Sequence, residues 1–333
     1  MKHNLKITFV LLAMFLITQL IGLAVIKLYE PIVEQVEVNG TLINVTTNPI
    51  PYGMQPTVAP EPIELTITLT LAFIIAILIV FFLTKMNMKL IMRLWFFIVV
   101  VIVMGITFNA LLSRIINHSI IFDYGSQIAV PIAPLVSIIL ALPLAVYKIY
   151  KRNIVIHNLT ELLIYPGIAV VFVALLAGLG SPYNIGITIL ILLAISVYDM
   201  WAVWHSGFMQ KLAKFQMNEL KVFGGFFVPY LTKKQKATLK ELKTTKKISK
   251  NTKAMKVSLA ILGGGDVVFP IITAGVIYRM LGLFPALIVV LCATLSLLGL
   301  FILAKKGKFY PAMPFLTTGL LVGIGLSFLY ILV

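Results

Sequence analysis

Charge is scarce in this chain, and acid is scarcer still. Only 11% of its 333 residues are charged, and eleven of them are Asp or Glu. A soluble domain carries about 25% charged residues, so a water-surrounded globule is excluded. Cysteine is nearly absent. Cys292 stands alone in an apolar segment, which excludes a disulfide framework and a cysteine metal site. The four histidines, His3, His118, His157 and His205, are scattered over four regions, and no His-Glu-x-x-His occurs, so a zinc peptidase helix is not encoded. There is no Gly-x-Ser-Gly, no phosphate-binding glycine loop and no dinucleotide fingerprint.

What the chain has in abundance is hydrocarbon. It is 60% hydrophobic, with a mean hydropathy of +1.06. A spanning helix needs about 20 mostly apolar residues, and nine stretches qualify: 7–28, 63–84, 90–112, 127–149, 160–180, 184–206, 255–277, 282–304 and 312–333. The first is longer than the roughly 7–15 residues of a signal-peptide core and reads as a spanning helix. The expected fold is therefore an all-α, multi-pass membrane protein with nine transmembrane helices, placed in the cell membrane. It divides into a six-helix part (1–206), a basic connection (207–254) and a three-helix part (255–333).

The net charge of +16 would suggest nucleic acid in a soluble protein; here it reports topology. Alternate connections fall on opposite sides of the membrane. One side holds Lys2 and Lys6, then three, three, thirteen and three cations, making 24 of the 27. The other holds Lys27, Arg114 and Arg279. Cytoplasmic loops carry the excess of Lys and Arg, so the N-terminus and the 207–254 connection are expected inside and the C-terminus outside. The sequons at Asn39 and Asn44 lie in the first connection, on the external side by the same count.

Among the acidic residues, only Asp199 and Asp266 fall inside spans and away from their ends. An ionisable group in hydrocarbon costs at least a few kcal/mol and marks a functional site by default. At about 1.5 Å per residue, Asp266 is expected about 14 Å from its helix end at Val257, and Asp199 about 9 Å from His205. Two carboxyls that meet in a medium of low dielectric share one proton. The ionised member then activates water and the protonated one polarises a carbonyl. Asp266 follows Gly263, Gly264 and Gly265, which leave room for close approach of a backbone. Blander readings stand beside this one. A single intramembrane aspartate serves an ion or proton pathway or a helix contact as readily, and a glycine run is commonly a packing face.

These contexts resemble the presenilin and signal peptide peptidase family of intramembrane aspartyl proteases, most of all its archaeal homologues. Tyr198-Asp199 resembles the YD motif, Gly263-Gly264-Gly265-Asp266 the GxGD motif, and Pro311-Ala312-Met313-Pro314 the PAL motif. Gly264 stands where a bulkier residue is common, and Met313 where Leu is usual. The resemblance covers nearly the whole chain. It implies an aspartic endopeptidase with Asp199 and Asp266 catalytic and no metal or organic cofactor. Tyr198 and the glycines would shape the site, while Pro311, Ala312, Met313 and Pro314 would contact substrate. For Pro311 and Pro314 a plain helix start is the alternative. Implied substrates are single-span membrane proteins or signal peptides, with partner subunits or oligomers open. The 207–254 connection reads as a solvated basic linker attracted to anionic lipid head groups, with one membrane-dipping patch, Phe223 to Pro229; self-cleavage there is the other reading. Two further functions compete: a prepilin or preflagellin peptidase, and a proton- or cation-coupled transporter using both aspartates. The latter calls for repeated halves, and six spans, a loop and three spans offer none.

Overall fold

The computed structural model describes residues 5–30, 32–38, 41–47, 88–116, 119–123, 127–151, 153–205, 224–230, 258–304 and 310–332, with scattered positions between 63 and 86. Eight described helices are long and apolar enough to cross a membrane: α1 (Leu5–Leu28), α2 (Lys89–Leu112), α3 (Ile132–Tyr150), α4 (Ile154–Ala177), α5 (Tyr183–Trp204), α6 (Gly264–Leu281), α7 (Leu283–Leu303) and α8 (Met313–Leu332). The expected span at 63–84 falls largely outside the described residues. Three two-stranded antiparallel sheets accompany the helices: β1 (Ile32–Val38) with β2 (Thr41–Thr47), β3 (Ser119–Asp123) with β4 (Gln127–Pro131), and β5 (Gly225–Tyr230) with β6 (Ser258–Gly263). The fold is an all-α membrane fold with these short ribbons attached.

Helix α6 is its axis. It packs against α1, α4, α5, α7 and α8, and 61% of its spanning stretch is buried within the protein, against 28% for α3 and α5. Enclosure by protein explains its composition. A helix wrapped by other helices can carry Asp266, Thr273, Arg279 and several glycines, because protein groups rather than lipid surround them. The supporting contacts are close. Ile271 fills the space beside Gly22 of α1. Gln19, fully buried on α1, donates its amide to the Val267 carbonyl at 3.0 Å. Pro270 lies four residues after Asp266 and has no N–H to offer that carbonyl, so the α-helical ladder is open beside Asp266.

Three of the nine expected spans are corrected at their starts. The fifth begins at Ile154, six residues before the expected 160, with Asn153 as its N-cap. Residues 258–263 are strand, not the first turns of a helix begun at 255; α6 starts only at Gly264. Three glycines in succession are poor helix formers, and the chain changes from extended to helical across them. Asp266 therefore stands in the first turn of its helix and not about 14 Å along it. Likewise 127–131 is strand, and α3 begins at Ile132 with Pro131 as its extended N-cap. The membrane-dipping patch is also corrected. Residues 225–230 form β5, and Phe226 is fully buried with its ring edge-on to Tyr165, centroids 5.5 Å apart. The rest of the basic connection lies outside the described residues.

Candidate active site

Asp199 comes from α5, whose buried residues Asn184, Thr188, Leu192, Ser196, Asp199 and Ala202 recur every three or four positions and so form one face. That face meets α8. The Ser196 and Thr317 hydroxyls lie 2.6 Å apart, and Thr317 donates to the Leu192 carbonyl at 3.4 Å. One turn further along, Asp199 reaches the start of α8, where the Met313 N–H donates to its Oδ2 at 3.0 Å. The Ala312 amide faces the same carboxylate. The first N–H groups of a helix have no partners within it, and the helix dipole there favours negative charge. Asp199 thus caps α8 from another helix. Pro311 and Pro314 fit this arrangement, since neither supplies the donor and proline suits a helix start. Ser296 of α7 holds the same segment by donating to the Phe315 carbonyl.

Asp266 occupies the equivalent place on α6. With Gly263 as N-cap, it is the third helical residue, the position from which a side chain reaches back to the N-cap N–H. The Gly263 amide faces its carboxyl, and a Cβ built on Gly263 would stand 3.1 Å from Oδ2. Each aspartate is therefore held by backbone N–H groups at a helix N-terminus, and Asp199 lies within electrostatic reach of Asp266.

The glycines differ in what surrounds them. A Cβ on Gly264 would stand 3.0 Å from the hydroxyl of Tyr165, so α4 closes on the backbone there. At Gly265 the nearest atom would be Phe269 Cε2 at 3.8 Å, and the residue is exposed. The space expected for an approaching backbone is thus already filled at Gly264 and free at Gly265. Met313 is buried, while Ala312 and Pro314 are half-buried. Tyr198 is 46% exposed on the outer side of α5, tilted against Trp201 at 6.3 Å; it does not enter the core around the carboxyls. Among the described residues no group of three His, Cys, Asp or Glu is arranged to hold a metal ion.

A second polar cluster went unread in the sequence. Lys148 at the end of α3 is buried, and its ammonium reaches Glu161 Oε1 at 2.6 Å, Thr160 Oγ1 at 3.3 Å and His157 Nδ1 at 3.3 Å, all on α4. His157 Nε2 lies 2.8 Å from the Gly225 carbonyl. Asn158 exchanges two hydrogen bonds with Phe227, donating to its carbonyl at 2.8 Å and accepting from its N–H at 2.9 Å. The available signal was Lys148 and Glu161, thirteen residues apart across a short turn, each next to an apolar run.

No family model and no curated protein sequence matches the chain. Solved structures do match in three dimensions, among them two of a presenilin family intramembrane aspartate protease. The one in space group C222 aligns with a TM-score of 0.57 over 97% of this chain and 99% of its own, at 15% identity. The one in space group P2 gives 0.54 over 96% of both chains, at 14% identity. The chain has the fold of that protease over nearly its whole length.

Proposed function

We propose that the protein is an intramembrane aspartic endopeptidase, hydrolysing peptide bonds in or near the transmembrane helices of other membrane proteins. The observation that carries this is the pair of aspartates seated at two helix N-termini inside one packed core. The carboxyls share a proton. The ionised one takes a proton from water as it attacks the scissile carbonyl, and the other donates to the carbonyl oxygen; the roles reverse as the amine leaves. Backbone N–H groups hold one oxygen of each carboxyl, which orients the other toward substrate. Water enters from the cytoplasmic side through a hydrated cavity. Tyr198 lines the lipid-facing approach on α5, Gly265 leaves room beside Asp266, and Pro311 to Pro314 border the seat.

A substrate helix hides its peptide bonds in internal hydrogen bonds and must unwind to be cut. An unwound segment in a medium of low dielectric needs partners for its N–H and C=O groups, and strand addition supplies them. Strand β6 leads straight into Gly263 and Asp266, so it is the place for this pairing. The test is cleavage of a single-span substrate by purified protein, with products identified by mass, alongside Asp199→Ala and Asp266→Ala. We expect cleavage by wild type and a loss of at least a thousandfold in either variant. A wild type that cleaves nothing, or a variant that retains the normal rate, overturns the proposal.

A further inference from the structure

The cluster of Lys148, His157, Asn158 and Glu161 touches neither aspartate, yet it grips the strand next to the one that ends at the active site. Register makes its role specific. In an antiparallel ribbon, alternate residues turn their N–H and C=O away from the partner strand. Asn158 binds both groups of Phe227, so Phe227 is one of the residues facing away from β6. Gly225 and Pro229 share its parity. Gly225 gives its carbonyl to His157, and Pro229 has no N–H to expose, as suits an edge position. The outer edge of β5 is therefore closed by side chains of α4. The Asn158 amide stands in for one residue of a third strand.

The same register opens the other side. Phe227 pairs with Ile261, Pro229 with Leu259 and Gly225 with Gly263, so Leu259, Ile261 and Gly263 turn their backbone groups away from β5. No described strand pairs with that edge, and it ends three residues before Asp266. The cluster itself is internally assigned. A carbonyl only accepts, so His157 carries its proton on Nε2, leaving Nδ1 to accept from Lys148. Lys148 in turn spends its donors on His157, Thr160 and Glu161, which fixes the imidazole ring. The ring also lies against Phe227, centroids 4.7 Å apart. A two-stranded ribbon alone is marginally stable; this one is tied to α4 at two consecutive α4 residues.

Resting on the protease reading above, we propose that Asn158 and His157 are positioning residues for proteolysis. They block strand addition on the outer edge of β5 and fix β6 against α4, so an unwound substrate pairs only along Leu259 and Ile261, in one register relative to Asp266. Gly263 is already engaged, its N–H by Asp266 and its carbonyl by the first turn of α6. A loosened ribbon would slip, and slips that keep side chains on their proper faces come in steps of two residues.

The experiment compares wild type, Asn158→Ala and His157→Gln, the last keeping a side-chain N–H for Gly225. Product masses give the cleavage positions, kinetics give kcat and KM, and hydrogen exchange reports the amides of 225–230 and 258–263. We expect Asn158→Ala to lower kcat/KM about tenfold or more, to add cleavage positions about two residues from the original, and to speed exchange in both strands. His157→Gln should fall between it and wild type. Asn109→Ala, which removes a buried bond to Tyr29 at the other end of the bundle, should lower the melting temperature without moving the cleavage positions. If Asn158→Ala does not fold, Asn158→Ser provides the same readouts. Unchanged cleavage positions with faster exchange overturn the positioning role alone, leaving proteolysis standing. A wild type that cleaves nothing overturns the protease reading itself.

Discussion

At the scale of single residues, the site is built on backbone donors. Met313 matters through its N–H, which binds Asp199 at 3.0 Å, and that can be tested because proline is tolerated as the first residue of a helix. Met313→Pro deletes the donor while leaving α8 able to start. A hydrogen bond to a charged group contributes about 1.5–3 kcal/mol, so kcat is expected to fall roughly ten- to a hundredfold. Met313→Leu keeps both the N–H and similar bulk in this buried position, and most of the rate should return. Cleavage kinetics on both variants, with thermal melts to establish folding, decide it; equal losses would show that the side chain matters and the amide does not.

At the scale of elements, α7 and α8 form a close pair through small residues. Gly319 and Gly323 lie four residues apart on one face of α8, against Ser296, Cys292 and Val289 of α7. Helices in lipid lack a hydrophobic drive toward one another and gain stability from close packing. A Cβ on Gly323 would come 2.9 Å from the Cα of Val289, a backbone atom that cannot turn aside. Gly323→Ala should therefore push α8 away from α7 and cost about 1–3 kcal/mol of stability. This would be read as a lower melting temperature in detergent. Gly299, with nothing within 4 Å of a built Cβ, provides the comparison: Gly299→Ala should melt at or above the wild-type temperature. Because α8 carries the amides that hold Asp199, Gly323→Ala should also lose activity.

At the scale of the whole molecule, the cation tally predicts a cytoplasmic N-terminus and 207–254 connection. The single native cysteine makes this accessible to labelling. In a Cys292→Ser background, Lys246→Cys is expected to react with a membrane-impermeant thiol reagent only in inside-out vesicles, and Asn39→Cys only in intact cells. The reverse pattern would invert the protein in the membrane.

Much of this was legible from residue order alone. Long apolar runs can satisfy their backbones in lipid only as helices or closed barrels, so hydropathy located the described spans to within a few residues at most ends. The same cost of buried charge singled out Asp199 and Asp266. Periodicity could not show where an apolar run is strand and not helix, because 255–263 is equally apolar in either conformation; pairing with β5, from Tyr230–Ser258 to Gly225–Gly263, decides it. Nor could sequence join Asn158 to Phe227 or Met313 to Asp199, contacts 69 and 114 positions apart. Composition determined that the chain lies in the membrane and which two carboxylates it keeps there. Packing decided what holds them: two helix N-termini and a clamped strand, formed only when distant segments satisfy polar groups that lipid cannot.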